Sequence, residues 1–462
     1  MPALLPIFKK AYWSLVALGF IYASLLLLLT HPTLQRHALY AHRLHTGYWD
    51  DLERPESSGF GKNEVTPFFL PTPDGEELYG WHILPLAVYA QNERRLSQQP
   101  LWSPSSNFTD SLACKLLIED PEARVIINFH GNAGHVAQGQ RPATYRSLTS
   151  ASPKIHVFTV DYRGFGLSTG APTERGVAAD GVALVNFVLS LGIPPSRIVI
   201  LGQSLGTAVS SAVALHFADP VAAEKHLSHE PTYESLSTKE LANIENTAEL
   251  ENSVRKPIDF AAVILVASFS SLPKLLLNYR IGGFLPLLSP LRPYPRFQKF
   301  FLGKLHDTWN TSSRLTALTS TIVNSPERSL RLHILHARND WDIPWRSGEE
   351  NFQRAEEALY PTLNPDHEGE VEKVEGTGVK ISGELEDNQR KEVWLGESKR
   401  IELIFEILRF GGTFPIFHFH FPLFHSMGVE DETDSFLLLL GHNKIVADVP
   451  VAVAVLKAFG LV

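Results

Sequence analysis

The sequence predicts an α/β fold with a doubly wound, mostly parallel sheet, a helical cap insertion and an N-terminal transmembrane helix. Two observations support this prediction. Short apolar runs alternate with helical stretches from Arg124 onward, and a 20-residue run without charge lies near the N-terminus. Alternating strands and helices give a parallel sheet that helices cover on both faces. An uncharged helix of 20 residues spans the hydrocarbon core of a bilayer.

The uncharged run covers residues 11–30 and reads AYWSLVALGFIYASLLLLLT. Lys9 and Lys10 precede it, so the positive-inside rule favours a short cytoplasmic N-terminus at residues 1–10. The alternative is a cleaved signal peptide, but no small-x-small cleavage site follows Leu29 and the run is long for a signal sequence. We therefore expect a retained anchor, followed by a linker at residues 31–64.

The composition is that of a globular protein, with 44% hydrophobic and 20% charged residues. The net charge of −9 comes from two stretches, Glu224–Lys256 and Asp366–Glu397. They lie in the segments 220–257 and 362–400, which we interpret as acidic insertions forming solvated surface loops. The remainder is neutral, which excludes the basic face of a nucleic-acid-binding protein. Cys114 is the only cysteine, so the chain has neither an internal disulfide nor a zinc site made of cysteines.

The catalytic domain is expected over residues 65–462. It begins with a hairpin at Val65–Leu84, where polar and apolar residues alternate around Pro73-Asp74-Gly75. Buried strands are predicted at 124–129, 156–162, 197–202, 260–269, 330–337 and 401–408, and helices at 174–191, 205–217 and 449–459.

Residues 272–310 are apolar, aromatic and broken by prolines. They follow one predicted strand and precede the next, so they are expected to cap the sheet. A flexible apolar cap is suited to binding an apolar substrate. Plain structural packing of an inserted segment is the alternative.

The sequence holds two G-x-S-x-G motifs, centred on Ser168 and Ser204. The first runs into Pro172, which argues against a helix that starts at the serine. The second lies between the apolar run RIVIL and the helical run LGTAVSSAVALHF, which is the strand–turn–helix setting of a nucleophile elbow. We therefore predict Ser204 as a nucleophile, beside helix N–H groups that stabilise a developing oxyanion.

A turn of small residues, His130-Gly131-Asn132-Ala133-Gly134, follows the predicted strand at 124–129. The N–H of Asn132 or Ala133, together with that of Leu205, would form a two-donor oxyanion hole. His130 precedes the nucleophile in the chain, whereas this topology runs serine, acid, histidine. We interpret His130 as a structural residue that hydrogen-bonds within the turn.

The catalytic acid is expected after the strand at 330–337. Asp340 lies three residues past that strand, and Asp342 is the alternative. Ile343-Pro344 begins the next helical region, which favours Asp340. Its role would be to fix the tautomer of the histidine and to stabilise the imidazolium.

The catalytic base is expected in the loop before the last helix, where His442 is the predicted base and His425 the alternative. His418, His420 and His425 share a spacing that invites a metal site. They alternate with phenylalanines and no carboxylate lies between them, which argues against a metal. The sequence suggests no metal and no organic cofactor.

Together, the motifs GQSLG, HGNAG, DYRGFG, HARND-WDIP and GHN resemble the α/β-hydrolase-fold serine hydrolases. More narrowly, they are similar to the membrane-anchored branch that includes monoacylglycerol and lysophosphatidylserine lipases. The resemblance covers residues 65–462 apart from the insertions, and it implies an active site that faces the endoplasmic reticulum lumen or the cell exterior. The site residues that it implies are Ser204, Asp340, His442, Asn132 and Leu205.

The sequence departs from the family pattern after its last strand. The family has Gly-His almost at once there, whereas His442 lies thirty residues after Gly412. Joining Gly412 directly to His442 would restore the expected spacing. We interpret residues 413–441 as an unusual insertion or as a gene-model error such as a retained intron, which sequencing the transcript would distinguish. A genuine insertion would misplace His442 and weaken the enzyme.

The leading function is a membrane-bound ester hydrolase that acts on lysophospholipid or monoacylglycerol through an acyl-enzyme. An acyl-protein thioesterase and a serine peptidase use the same fold, although the cap lacks the acidic cluster that would bind a substrate amino terminus. A catalytically inactive, anchored scaffold is the alternative from another class. The expected partners are a lipid ester and the bilayer, and the sequence does not set the head group, the acyl length or the oligomeric state.

Overall fold

The structure is a computed structural model. It describes residues 4–43, 51–227, 256–281, 285–340, 342–359, 378–382, 389–396, 399–409 and 449–462.

A ten-stranded sheet forms the centre of the described fold, and two further strands make a small separate hairpin. The strands are β1 (Val65–Pro71), β2 (Glu77–Ile83), β3 (Arg124–Phe129), β4 (Ile155–Val160), β5 (Ile198–Gln203), β6 (Ala262–Val266), β7 (Arg280–Ile281), β8 (Leu285–Pro286), β9 (Leu330–Ala337), β10 (Gly378–Ser382), β11 (Gln389–Leu395) and β12 (Ile401–Leu408).

The order across the large sheet is β1-β2-β4-β3-β5-β6-β9-β12-β11-β10. The six strands from β4 to β12 run parallel, and an antiparallel pair extends the sheet at each edge. Every residue of β4 and β6 is buried. Such strands are predominantly apolar because helices cover both faces of the sheet.

The helices of the described residues are α1 (Leu4–Leu28), α2 (Pro32–Tyr40), α3 (Leu86–Ser97), α4 (Leu112–Glu119), α5 (Arg141–Ser150), α6 (Glu174–Ser190), α7 (Leu205–Ala218), α8 (Pro220–Lys225), α9 (Leu272–Asn278), α10 (Pro295–Leu302), α11 (Thr311–Val323), α12 (Trp345–Glu357) and α13 (Val449–Ala458). One face of the sheet packs on α6, α7, α11 and α12, and the other on α5 and α13.

The predicted fold class is confirmed, with a parallel sheet between two helical layers. The strands predicted at 124–129, 330–337 and 401–408 have the predicted bounds. The strand predicted at 260–269 is shorter, because Ala267 adopts a φ of 54° that no strand residue can have. The hairpin expected at Val65–Leu84 is formed by β1 and β2.

The prediction of a solvated loop at 362–400 is wrong for its described part. β10 and β11 lie there and extend the sheet beyond β12. The charges of β11 are paired: Arg390 contacts Glu406 at 3.2 Å and Lys391 contacts Glu356 at 2.7 Å. Val393 of the same strand is fully buried. Composition concealed the strand because Arg390, Lys391 and Glu392 give it three charges in seven residues.

The expected linker at 31–64 is also corrected in part, because α2 lies within it and packs on the domain that contains the sheet. Tyr40, at the end of α2, is fully buried. Its hydroxyl donates to Asp307 Oδ2 at 2.7 Å and accepts from Trp309 Nε1 at 3.0 Å. The segment after the apolar helix is therefore a structural part of the domain rather than a spacer.

The apolar helix α1 includes Phe8–Leu28, a stretch of 21 residues that is long and apolar enough to cross a membrane. The expected cap at 272–310 contains α9, the hairpin of β7 and β8, and α10. The cap is thus partly helical, as predicted. Most of the acidic stretch at 220–257 and the whole of 413–441 lie outside the described residues.

Candidate active site

The order of the strands creates a crevice between β3 and β5. The chain passes from β3 to β4 on one side and returns to β5 on the other side of β3. In open α/β sheets such a switch point binds ligands at the carboxyl ends of its strands. Gly131 follows β3 and Ser204 follows β5 at this edge. A Cβ atom built on Gly131 would lie 3.5 Å from the Cβ of Ser204, so the two predicted loops meet.

Ser204 occupies a strained turn between β5 and α7. Its backbone has φ 51° and ψ −118°, a combination that residues with side chains rarely adopt. The N–H of Ser204 donates to Val266 O at 3.0 Å. Its carbonyl accepts from both the N–H and the hydroxyl of Thr207, at 2.9 and 2.6 Å. These bonds hold a conformation that is typical of a nucleophile elbow.

Two glycines allow this turn to approach the neighbouring backbone. A Cβ atom on Gly206 would lie 1.9 Å from Phe129 O, and one on Gly202 would lie 2.3 Å from Gly206 O. Both contacts are with backbone, which cannot move aside as a flexible side chain can. The motif therefore needs glycine at both positions so that α7 can pack against β3 and β5.

Arg141, at the start of α5, organises the turn that follows β3. Its guanidinium donates to the carbonyls of Gly131 and Ala133 at 2.8 Å, of Asn132 at 3.1 Å and of His135 at 2.6 Å. In a trans peptide the C=O and the following N–H point in opposite directions. The N–H groups of Asn132 and Ala133 therefore point away from Arg141.

The two donors of the predicted oxyanion hole are available. Within the described part of the chain, no backbone hydrogen bond uses the N–H of Asn132 or that of Leu205. Leu205 begins α7, where the first N–H groups of a helix lack intrahelical partners. The side chain of Asn132 points elsewhere, since its Nδ2 donates to Leu39 O of α2 at 2.6 Å.

Sequence reasoning missed both Arg141 and the contact between α2 and the oxyanion turn. Arg141 carries a signal that could have revealed it, because a cation in the first turn of a helix opposes the helix dipole. A residue that violates a local sequence preference in this way often serves a functional site or a contact elsewhere in the fold. The contact of Leu39 with Asn132 leaves no comparable pattern in the sequence.

Replacing Arg141 by lysine is expected to lower kcat by about 10- to 100-fold, with a smaller change in KM, because an ammonium cannot hold four carbonyls at once. The free energy of unfolding is expected to fall by about 2–4 kcal/mol as buried carbonyls lose their donors. The measurement is steady-state hydrolysis of a soluble ester, together with chemical denaturation. Arg146→Lys is the control, since Arg146 lies on the same helix and donates to Ser58 O instead. Equal effects of both variants on kcat would contradict a positioning role for Arg141.

His130 lies beneath the oxyanion turn, in the place expected for a structural histidine. It is 1% exposed, its Nδ1 lies 2.7 Å from Gly131 O, and its Nε2 lies 3.6 Å from Asp161 Oδ1. Its carbonyl accepts from the Tyr162 hydroxyl at 2.8 Å. Burial, and secondarily the charge of Arg141, hold the pKa of His130 well below its usual value, so the ring is neutral.

Asp161 supports the same turn by accepting from the N–H of Val136 at 2.7 Å. Burial raises the pKa of Asp161 to about 7, although the charges of His135 and Arg141 lower it. The folded protein therefore holds a proton on Asp161 that the unfolded chain releases near its ordinary pKa of 3.8. The stability that this proton confers is complete below pH 4 and is lost as the pH rises through 7.

Asp161→Asn is accordingly expected to gain stability relative to the parent chain as the pH rises from about 4 to 7. The amide keeps an acceptor for Val136 and has no charge to desolvate. The gain should reach a few kcal/mol, at about 1.4 kcal/mol per unit of pKa shift. Denaturation curves of both proteins across this pH range provide the measurement, and parallel pH profiles would contradict the raised pKa.

Asp340 lies in the turn after β9, and its carboxylate is anchored. Its Oδ1 accepts from the N–H groups of Asp342 and Ile343, both at 3.0 Å, and its side chain is 1% exposed. Its Oδ2 lies 3.6 Å from Nε2 of the buried His336, which also contacts Ile343 O at 2.8 Å. The turn thus holds the carboxylate of Asp340, while Asp342 contributes a backbone donor to it.

The strand β12 ends beside the turn of Asp340, and the predicted catalytic histidine comes later in the chain. This strand pairs with β9 up to Leu408 and Ala337, and the N–H of Arg338 donates to Leu408 O at 2.8 Å. The chain that follows β12 therefore leaves the sheet beside the turn of Asp340. The predicted base His442, the alternative His425, and His418 and His420 lie outside the described residues.

The cap approaches this edge of the sheet through the end of α9. Burial first, and the nearby carboxylate of Asp342 second, raise the pKa of Tyr279, which directly follows α9. The N–H of Leu272, at the start of α9, donates to Thr308 O at 2.8 Å. The cap is therefore closed at its base, and Tyr279 lies near the carboxylate of Asp342 in the turn that carries the candidate acid.

Comparison with known proteins places this arrangement in a known fold. A family model described as the alpha/beta hydrolase fold matches residues 124–229, which include the oxyanion turn and Ser204. The chain is 30% identical to a Danio rerio protein named lysophosphatidylserine lipase ABHD12, over 188 residues that cover 41% of this chain and 44% of the relative. It is 26% identical to the Homo sapiens protein ABHD12B over 238 residues, 51% of this chain and 50% of the relative.

Among solved structures, an alpha-beta hydrolase from Vibrio vulnificus matches with a TM-score of 0.42 and 14% identity, over 70% of this chain and 80% of that chain. The chain has an α/β-hydrolase fold and resembles the lipase branch of the α/β-hydrolase domain-containing proteins. It spans about half the length of the curated relatives that it matches.

Proposed function

We propose that this chain is a membrane-anchored serine hydrolase that cleaves the ester of a lysophospholipid or a monoacylglycerol. The observation that carries the proposal is the strained Ser204 between β5 and α7, with the oxyanion turn against it. A strained backbone persists only where the surrounding structure enforces it, and it concentrates at functional sites. Asp340, two strands away on the same sheet edge, supports an assembled acyl-transfer site.

In the proposed mechanism, the hydroxyl of Ser204 attacks the ester carbonyl while His442 accepts its proton. The oxyanion forms between the N–H of Leu205 and an N–H of the turn at Asn132. His442 then gives the proton to the leaving alcohol, and the acyl group stays on Ser204. Water hydrolyses this acyl-enzyme by the same route in reverse, and Asp340 keeps the imidazole in the required tautomer.

The proposed substrate class comes from the cap and the apolar helix. The cap segment at 272–310 supplies apolar surface beside the candidate acid, which suits an acyl chain. An apolar helix at 8–28 would hold the site at a bilayer, where lysophospholipids and monoacylglycerols reside. The lysophosphatidylserine lipases among the relatives support the same class. We further propose that the catalytic domain faces the endoplasmic reticulum lumen.

The test compares classes of substrate on one preparation. Membranes that contain the full chain are given lysophospholipids, monoacylglycerols, a palmitoyl-thioester peptide and a peptide amide, and released products are quantified by mass spectrometry. We expect fatty acid from the lipid esters, in amounts that depend on Ser204. Release from the thioester alone would favour an acyl-protein thioesterase. No release from any substrate by folded protein would favour the anchored scaffold.

A further inference from the structure

The cap is hydrogen-bonded to the apolar helix α1 and to α2, the helix that follows it. The hydroxyl of Tyr22, within α1, donates to Leu287 O of the cap at 2.8 Å. Thirteen residues further on, Gln35 of α2 donates to Lys304 O at 3.0 Å and accepts from the N–H of His306 at 2.8 Å. Leu26, between these ties, is only 3% exposed. Leu26 near the end of the apolar helix is therefore packed against the protein, whereas residues 8–21 are exposed.

The first of these ties fixes the depth of the cap. Tyr22 lies six residues before the end of α1 at Leu28, which corresponds to about 9 Å along a helix. If α1 crosses a bilayer, Leu287 lies beside a part of α1 that is inside the membrane. It is then deeper in the bilayer than Leu28, where the helix ends. The cap segment between Leu287 and Lys304, which includes α10, is attached to α1 at Leu287 and to α2, the helix that follows α1, at Lys304.

The helix α10 presents an aromatic face to the outside. Tyr294, which directly precedes the helix, and Phe297 and Phe300 within it are each about half exposed or more, at 58%, 61% and 49%. With about 100° per residue, these three positions lie within a 120° sector, and Arg296 and Lys299 lie outside it. An aromatic face flanked by cations is the pattern of a helix that lies in the interface of a membrane.

The charge of the cap complements an anionic lipid surface. Residues 272–306 contain six basic residues and no acidic residue, in a chain whose net charge is −9. The basic residues are Lys274, Arg280, Arg292, Arg296, Lys299 and Lys304. Juxtamembrane cations of this kind are attracted to anionic head groups. The cap is therefore locally basic in a chain that is acidic as a whole.

We propose that the aromatic face of residues 294–300 docks into the leaflet from which α1 emerges, with the flanking cations at the head groups. The occupant of this face is the lipid bilayer. The site at Ser204 is thereby held over the membrane by two contacts, the anchor and the cap, so that a lipid ester enters from the leaflet. The inference rests on the proposed membrane anchoring and is independent of the hydrolytic chemistry.

The test measures the depth of the cap with a fluorescent label. Cys114 is fully buried, so an added cysteine is labelled selectively and the parent chain serves as the blank. The full chain is reconstituted in phosphatidylcholine vesicles with and without phosphatidylserine. The label is placed by Phe297→Cys in the cap, by Leu18→Cys in the anchor, and by Ile118→Cys as the matched control. Ile118 is also about half exposed, at 51%, but lies on α4.

We expect lipids with a nitroxide on the acyl chain to quench the label at 297 about threefold more than the label at 118, as the depth of an interfacial helix requires. Phosphatidylserine is expected to increase quenching at 297 and to leave 118 unchanged. Quenching at 18 with none at 297 would overturn the docking and leave a protein as the occupant of the aromatic face. Absence of quenching at 18 would overturn the anchoring as well. Fluorophosphonate labelling of the same vesicles reports separately whether the serine chemistry is intact.

Discussion

Replacement of Ser204 by alanine is expected to lower kcat for ester hydrolysis by about 10⁴- to 10⁶-fold, because the acyl-enzyme cannot form without its hydroxyl. The fold should survive, since the hydrogen bonds that hold the turn use the backbone of Ser204 and not its side chain. The measurement is turnover of a soluble ester, combined with thermal denaturation to show that the variant is folded.

The second G-x-S-x-G motif provides the matched control. The hydroxyl of Ser168 donates to Asp161 O at 2.7 Å and accepts from the N–H of Tyr79 at 2.9 Å, so it is a structural link between two strands. Ser168→Ala is expected to cost about 1–3 kcal/mol in the free energy of unfolding and to keep kcat within an order of magnitude. Loss of turnover in Ser168→Ala with turnover retained in Ser204→Ala would exchange the roles of the two motifs.

The change Asp340→Asn is expected to lower kcat by about 10³- to 10⁴-fold with little change in KM. The amide oxygen can still accept from the N–H groups of Asp342 and Ile343, so the turn keeps its shape. What is lost is the negative charge that orients the histidine and stabilises its protonated form. A serine-protease triad with the same change behaves in this way, through the wrong tautomer of the histidine.

Asp342→Asn separates the two candidates for the acid. The residue gives Asp340 its backbone N–H, which the substitution leaves in place. We therefore expect turnover within a few-fold of the parent chain, measured with the same ester at the pH of maximal activity. A large loss in Asp342→Asn with a small loss in Asp340→Asn would assign the role of the acid to Asp342.

The sequence revealed those parts of the fold that depend on local pattern. The apolar runs of β3, β9 and β12 have the bounds that the sequence pattern predicts, because strands buried on both faces are predominantly apolar. The elbow at Ser204 was also predictable, since its glycines are required by backbone contacts that any such turn creates.

Other parts depend on contacts between distant segments, which no local pattern records. The strand β11 is charged at three of its seven positions, and it joins the sheet because Arg390 and Lys391 find partners on β12 and α12. The helix α2 directly follows the apolar helix, where the sequence predicts a linker. Its Tyr40 is nevertheless buried and hydrogen-bonds to Asp307 and Trp309, at the C-terminal end of the cap segment. Arg141 acts on four carbonyls that precede it, and only the folded turn brings them together.

The central claim is that Ser204 is a nucleophile activated by His442, and labelling with a fluorophosphonate tests it most directly. The full chain in membranes is labelled as the parent, as Ser204→Ala and as His442→Ala, and the modified peptide is identified by mass spectrometry. We predict an adduct on Ser204 of the parent chain and none in either variant. An adduct that persists in His442→Ala would move the base to another histidine, with His425 the next to replace. A folded parent chain that forms no adduct on Ser204 would contradict the claim.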